Sequence, residues 1–593
     1  MKAPELIVIG IDGGVGTYIA KKAAEGKLPN FAKMLARGCR LADLRPPHPT
    51  ITPVCWSAFQ TGATPEINGI VADKLHLGGH LEDLVSGYHG SNLQAERFWE
   101  AASRGGKSCI VDCLPVSGPA RREDVWQLEG TTGNPGRMIM PDGTTEYVDV
   151  PQQIWFFDKN KNIKSALKDI TIPPSPIREI GNGKYQLGVN MESRDANRHN
   201  LDPISWNLNV SDNGFTLLFD DRELELAPGK WVTFERLLPK ADGALPLAFR
   251  FILHELEDGF AVFASAACYI NDRAFPEAFS KLFDHMPPTP VHREYLFYTN
   301  PATHKLTMDS WSFHLDWHIE MFKRALAVKD FDVIVTYIGD TDTVNHFFWP
   351  ILSGKIPADE EMRRYVERCF EEIYEEMDRY VGFFMEHVAD ENTTFLLVSD
   401  HGSLGVVEER NADHALEAAG LLTYLDAEKR QIDWSVTKAA VRGCCNVFIN
   451  LQGRETDGIV PPEEYEKTVD EVITALQNNM RGPQGESYLA FAVRKREAGF
   501  FGLGGDRCGD VVFGLSAGYA AMTVHAEQIP TATSDYGSMR ALGILAGPGI
   551  PENTVWEKPV NIIDLAPTLC ARLGTPLPEH SNGRIIQEFL PGK

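Results

Sequence analysis

Two short segments of the chain join a carboxylate to an imidazole. Asp342-Thr-Val-Asn-His346 sets them four residues apart, near enough to share one cation if the segment turns helically. Asp400-His401-Gly402 sets them side by side after an apolar run. Successive side chains of an extended chain point to opposite faces, so Asp400 and His401 can serve one cation only where the chain turns, and Gly402 permits that turn. A third acid, Asp12, ends the run Leu6–Ile11. Carboxylate plus imidazole suits zinc, manganese or iron better than calcium or magnesium. A single Asp at a strand end is equally a turn residue or helix N-cap. The attached histidines are what point to a metal.

The elements that would position these residues follow from periodicity. Leu6–Ile11, Val333–Ile338 and Phe395–Val398 are continuous apolar runs, the mark of strands covered on both faces in a parallel sheet. Ligands of such a sheet bind beyond the carboxyl ends of its strands, so three strands ending in Asp bring three carboxylates to one edge. Like charges crowded there call for a cation between them. Tyr18–Arg37 reads as one or two helices broken at Gly26 and Pro29. Glu360–Val388 reads as one helix, with a stripe at Val366, Phe370, Ile373, Met377, Val381 and Phe384 beneath an acidic, solvated face. The expected fold is α/β, a mostly parallel central sheet flanked by helices. Between residues 121 and 305 the runs Phe215–Phe219, Lys230–Phe234 and Ala248–Ile252 predict antiparallel β structure, an inserted cap. A smaller insertion is expected over 410–520. The catalytic core is then discontinuous: 1–120, 306–409 and 521–593.

The stretch Pro49–Gly62 (PTITPVCWSAFQTG) holds the hydroxyls Thr50, Thr52 and Ser57 and the thiol Cys55. Its run from Thr52-Pro53 to Thr61-Gly62, then Pro65-Glu66 and Gly69-Ile70, resembles the nucleophile segment of the type I phosphodiesterase and nucleotide pyrophosphatase group of the alkaline phosphatase superfamily. Asp12-Gly13, Asp342…His346 and Ser399-Asp400-His401-Gly402 occur in that family's order. Gly537-Ser538-Met539-Arg540-Ala541-Leu542 and Gly547-Pro548-Gly549 are similar to its carboxy-terminal strand region. The resemblance covers most of the core but not the 120–305 insertion.

The resemblance implies an alkaline-phosphatase-like core holding two divalent cations, zinc before manganese. Asp12, Asp400 and His401 would hold one, with the Thr52 hydroxyl as its further ligand and as the nucleophile. Asp342 and His346 would hold the second with one more histidine. Aligned on Met539 and the Gly-Pro-Gly, that histidine's place falls on Pro530. His525, in VHAEQIPTATSDYGSM, is the substitute if a short insertion intervenes, and His580 is the reserve. A threonine hydroxyl is a poor nucleophile until a cation lowers its pKa, and two dications about 4 Å apart can clamp the attacking and leaving oxygens. Cys55 raises a sulfatase reading, but formylglycine maturation needs Cys-x-Pro-x-Arg and this chain has Cys55-Trp-Ser-Ala-Phe. His48 lies close enough in sequence to Thr52 to approach a substrate. Asp340 is either a partner of a ligating histidine or a turn residue. His314 and His318, amid Trp311, Phe313 and Trp317, read as an aromatic packed face rather than a metal pair.

Bulk composition narrows the partners. At 593 residues the chain exceeds what one core supports, so one large domain with insertions, or several domains, is expected. A net charge of −25 argues against duplex nucleic acid, whose phosphates need a basic surface, but not against a small phosphorylated substrate beside bound cations. Ten cysteines without a CxxC argue against a zinc ribbon or redox motif and for free thiols in a reducing compartment. The amino-terminal apolar run is too short for a signal peptide, and no run of 18 apolar residues occurs, so the expectation is a cytoplasmic protein without a membrane span. The function expected is a two-metal phosphodiesterase working through a phosphothreonine at Thr52. The alternatives are a phosphomonoester, phosphonate or sulfate ester hydrolase on the same site, or a catalytically impaired metal-binding homologue.

Overall fold

Strand β1 (Leu6–Ile11) is buried along its whole length, as its unbroken apolar sequence requires. The computed structural model containing it describes residues 2–129, 204–211, 214–219, 222–240, 243–256, 259–264, 274–283, 301–405, 408–428, 430–516, 518–520 and 539–591, with Met286 and a few short strands between 137 and 189 and at 268–269. The remaining core strands are β2 (Gly38–Leu41), β3 (Cys109–Asp112), β4 (Val125–Leu128), β5 (Val333–Ile338), β6 (Thr394–Val398), β7 (Gly543–Ala546) and β8 (Thr554–Trp556). They lie in the order β4-β3-β5-β1-β6-β7-β2-β8. The pairs from β4 to β6 are parallel, whereas β7 runs antiparallel to both neighbours, β6 and β2. The sheet is therefore mixed but mostly parallel, as expected.

Register places the chemistry. Ile11 lies opposite Ile338 on β5, and Gly10 lies opposite Val398 on β6. The three central strands thus end together at one edge, and Asp12, Asp342 and Asp400 follow within a few residues. Helix α1 (Thr52–Thr61) starts with Ile51 still extended and Pro in its first turn, and stops at Gly62 with φ +64°. All ten of its residues are buried, and Trp56 packs edge-on against Tyr337 with ring centroids 5.6 Å apart. Gly10 is what admits that indole: a Cβ there would come within 2.7 Å of Trp56 Cη2. Helix α2 (Asp340–Leu352) begins with two acids in its first turn, where the helix dipole favours negative charge.

The chain divides into two compact units. The first is Met1–Gly130, Asp330–Ala358 and Val381–Lys593; the second is Thr131–Lys329 and Asp359–Tyr380. Within the first unit, the sheet Ala439–Val441, Asn446–Ile449, Val511–Leu515 and Leu489–Arg494 is antiparallel. Its core joins Val447, Ile449 and Phe513 to Leu416, Val472 and Leu476 of the helices Asp413–Ala418 and Tyr465–Asn479. The second unit is built on antiparallel strands, among them Gly214–Phe219, Val232–Lys240 and Gly243–Leu256, where short apolar-rich runs predict them. The acidic helix spans Glu360–His387, and its six stripe residues are all buried. Tyr18–Arg37 forms the helices Gly16–Ala24 and Pro29–Arg37. Among the described residues no helix is long and apolar enough to cross a membrane.

Candidate functional site

Asp12, Asp400 and His401 are fully buried, and one ligand atom from each lies within 4.8 Å of the others. His401 Nε2 is 3.3 Å from Asp400 Oδ2 and 3.7 Å from Asp12 Oδ1. The chain does turn after β6, as the Asp-His pair requires. The turn is held by Ser399, whose hydroxyl donates to the His401 carbonyl (2.8 Å) and accepts from the Leu542 N–H (2.6 Å).

Each of the three side chains has one polar atom already committed. Asp12 Oδ2 accepts from Tyr337 Oη at 2.5 Å and from Trp56 Nε1 at 3.2 Å. Asp400 Oδ1 accepts from the Gly13 N–H at 3.1 Å. His401 Nδ1 donates to the Gly402 carbonyl at 2.8 Å, which in the neutral imidazole places the lone pair on Nε2. The other atoms, Asp12 Oδ1, Asp400 Oδ2 and His401 Nε2, are buried and have no hydrogen-bond partner among the described residues. Two carboxylate oxygens and one imidazole nitrogen, buried and converging, are a donor set that fits a zinc- or manganese-type cation.

Electrostatics agrees with that fit. Burial raises Asp12 above the ordinary carboxylate range, and the charge of Asp342 raises it further, against the opposing pull of His401, Tyr337 and Trp56. Asp400 is pushed well up, first by burial and then by Asp12 and Asp342. Without a cation such a cluster retains protons; a dication reverses that balance.

Asp342 and His346 occupy adjoining turns of α2, with His346 Nε2 3.0 Å from Asp342 Oδ2. The i,i+4 spacing thus meets the helical condition set by the sequence. Gly13 sits against this helix with φ +60°, and a Cβ there would lie 3.1 Å from Asp342 Oδ1. Asp340 opens α2 and is buried. The neighbouring Thr341 hydroxyl donates to the Asp12 carbonyl at 2.5 Å.

Thr52 is the first residue of α1 and is 5% exposed, whereas Thr50 and Ser57 are completely buried. One turn later Trp56 reaches Asp12, which ties the start of this helix to the end of β1. Cys55 points its thiol at the Pro49 and Pro47 carbonyls. Burial, with the nearby charges of Asp400 and Asp12, raises it so that it stays a thiol. His48 is buried away from solvent: Nε2 donates to the Phe513 carbonyl at 3.1 Å and the ring lies against Phe491 and Phe501. It anchors the Thr52 segment to the smaller sheet.

His525 lies outside the described residues, as do Gly537 and Ser538. His580 is exposed, with φ +72°. His314 and His318 are buried with their Nε2 atoms 3.0 Å apart, and the Trp317 ring lies 5.1 Å from that of His318. The residues that sequence reasoning missed are the ones that hold the candidate ligands in place: Tyr337, Trp56, Ser399 and Asn345. Spacing gave a faint signal for two of them, because Trp56 is one turn from Thr52 and Asn345 lies between Asp342 and His346.

No curated protein matches the chain. Crystal structures of the alkaline phosphatase PafA, wild type and a multiple mutant, superpose with a TM-score of 0.52 at 14% identity over 99% of both chains. Murine ectonucleotide pyrophosphatase/phosphodiesterase 5 gives a TM-score of 0.45 at 13% identity, covering 98% of this chain and 97% of that one. The PafA likeness establishes the fold as alkaline-phosphatase-like. The profile of the family described as type I phosphodiesterase / nucleotide pyrophosphatase matches residues 6–198 and 261–537. The chain belongs to the type I phosphodiesterase/nucleotide pyrophosphatase family, whose chemistry is the hydrolysis of phosphate esters.

Proposed function

We propose that the protein is a two-cation phosphodiesterase that cleaves a small phosphorylated substrate through a covalent phosphothreonine at Thr52. Asp12, Asp400 and His401, with the Thr52 hydroxyl, would hold one divalent cation; Asp342, His346 and His525 would hold the other, zinc before manganese. The observation that carries this reading is the convergence of Asp12 Oδ1, Asp400 Oδ2 and His401 Nε2, buried and unbonded while their partner atoms are fixed. Bound cations would supply the charge that lowers the hydroxyl pKa, as Zn²⁺ lowers that of water from about 15.7 to about 7.

The protein's own groups do the rest. Thr52 Oγ1 forms the bond to phosphorus as the bond to the leaving oxygen breaks, and water later cleaves the Thr52 ester to release the phosphate product. Because Thr52 opens α1 and Pro53 has no N–H, the Thr52 and Val54 N–H groups are first-turn donors without intrahelical acceptors, suited to a developing oxyanion. Tyr337 and Trp56 keep Asp12 from rotating, so its free oxygen stays directed at the cluster.

The test is Thr52→Ala assayed with an activated aryl phosphodiester. Turnover should vanish while two cations per chain remain by elemental analysis. Undiminished activity would sink the nucleophile assignment, and one cation or none in the unsubstituted protein would sink the two-cation site. Relative kcat/KM across aryl phosphodiester, phosphomonoester, phosphonate and sulfate esters identifies the substrate class.

A further inference from the structure

Asn345 has no place in the ligand set, yet it is completely buried beside it. Its Nδ2 donates twice, to the Gly13 carbonyl at 2.6 Å and to Ser403 Oγ at 2.7 Å. The Ser403 hydroxyl in turn donates to the same Gly13 carbonyl at 3.2 Å. These three residues belong to three different strand ends. Gly13 follows Asp12, Ser403 follows Asp400-His401, and Asn345 stands on α2 between Asp342 and His346.

A carbonyl can only accept, so the Gly13 bond fixes which branch of the Asn345 amide is nitrogen. The other branch, Oδ1, is buried and has no hydrogen-bond partner among the described residues. An amide with both donor hydrogens engaged and its acceptor left over is costly to bury. Its placement is explained if the two donated bonds serve a purpose beyond stability. The bonds form a triangle that locks the spacing between the helix of one half-site and the two loops of the other. Groups that orient metal ligands in this way commonly change cation affinity without touching the cation.

We propose that Asn345 is a positioning residue that couples the two cation half-sites, so that the first-cation ligands depend on a residue carried by the second-cation helix. The inference rests on the two-cation reading above. If Asn345 served only its own helix, removing it would weaken the Asp342–His346 site alone. If it is the tie between the half-sites, removing it weakens the Asp12–Asp400–His401 site as well.

The experiment therefore silences the second half-site first. Chelator-stripped full-length His346→Ala is titrated with Zn²⁺ against a competing indicator, with and without Asn345→Ala, and thermal unfolding of the stripped proteins checks the fold. The His346→Ala protein should retain one tight cation, and adding Asn345→Ala should weaken that cation roughly ten- to a hundredfold. Ser403→Ala, which breaks the triangle at its other corner and is the safer substitution for folding, should weaken it in the same direction by less. Unchanged affinity in the folded Asn345→Ala,His346→Ala protein, or in folded Ser403→Ala,His346→Ala should the former not fold, overturns the coupling. The two-cation reading fails separately, by the unsubstituted protein not binding two Zn²⁺.

Discussion

Tyr337 donates its hydroxyl to Oδ2 of Asp12 at 2.5 Å, while Oδ1 of the same carboxylate faces His401 Nε2 at 3.7 Å. One oxygen is a fixed pivot and the other is the working end. Tyr337→Phe removes the pivot's shorter hydrogen bond and leaves the one from Trp56 at 3.2 Å. Cation affinity should fall about ten- to a hundredfold with little change in the thermal midpoint, read by chelator competition and calorimetry. Unaltered affinity would show that the pivot is dispensable.

Gly13→Ala should be harsher than its size suggests. The residue sits at φ +60°, where a Cβ costs about 1–2 kcal/mol. That Cβ would also stand 3.1 Å from both Asp342 Cα and Asp342 Oδ1. The expected outcome is a folded protein with lowered stability in urea unfolding and a loss of the second bound cation by elemental analysis.

A stability effect outside the candidate ligand cluster is expected at Asp510. Its carboxylate is 1% exposed and takes two bonds from Arg454 at 2.7 Å each, one from Tyr465 Oη at 2.9 Å and one from the Ile449 N–H at 2.7 Å. Asp510→Ala leaves the Ile449 N–H and Tyr465 hydroxyl without their acceptor, while Arg454 keeps Glu455 at 2.6 Å, a change that typically costs about 1–3 kcal/mol. Denaturant unfolding measures it, and a loss under about 1 kcal/mol would show that solvent reaches both donors freely.

Stability should depend on pH through Cys445. The Cys444 thiol beside it and then His48 pull its pKa down to about 6 from 9.0, against the effect of burial. A group depressed in the folded state adds stability above its unfolded pKa and loses it as pH falls through the folded one. The contribution is therefore absent below pH 6, grows between about 6 and 9, and is complete above. Urea midpoints across that range should climb for the unsubstituted protein relative to Cys445→Ser; parallel curves would refute the shift.

The pattern of candidate ligands is legible because it is local. Asp12 and Asp400-His401 each follow an apolar run, and Asp342 and His346 share one helical spacing, so short windows contain the information. What windows cannot contain is register. Tyr337 reaches Asp12 only because β5 pairs with β1 so that Gly10 faces Tyr337, and Asn345 reaches Gly13 across 332 residues of chain. The reversed direction of β7 was equally hidden, since a four-residue apolar strand reads the same either way. His525, argued from alignment rather than periodicity, lies in the stretch 521–538 outside the described residues.

The order of strands across the sheet has a consequence for synthesis. β1 is synthesised well before its two lateral partners, residues 333–338 and 394–398. Until those residues are made, an all-apolar strand has two open edges, the kind of surface that recruits another chain. Nascent chains stalled before β6 should therefore be the aggregation-prone species, and holding them soluble falls to chaperones rather than to the fold.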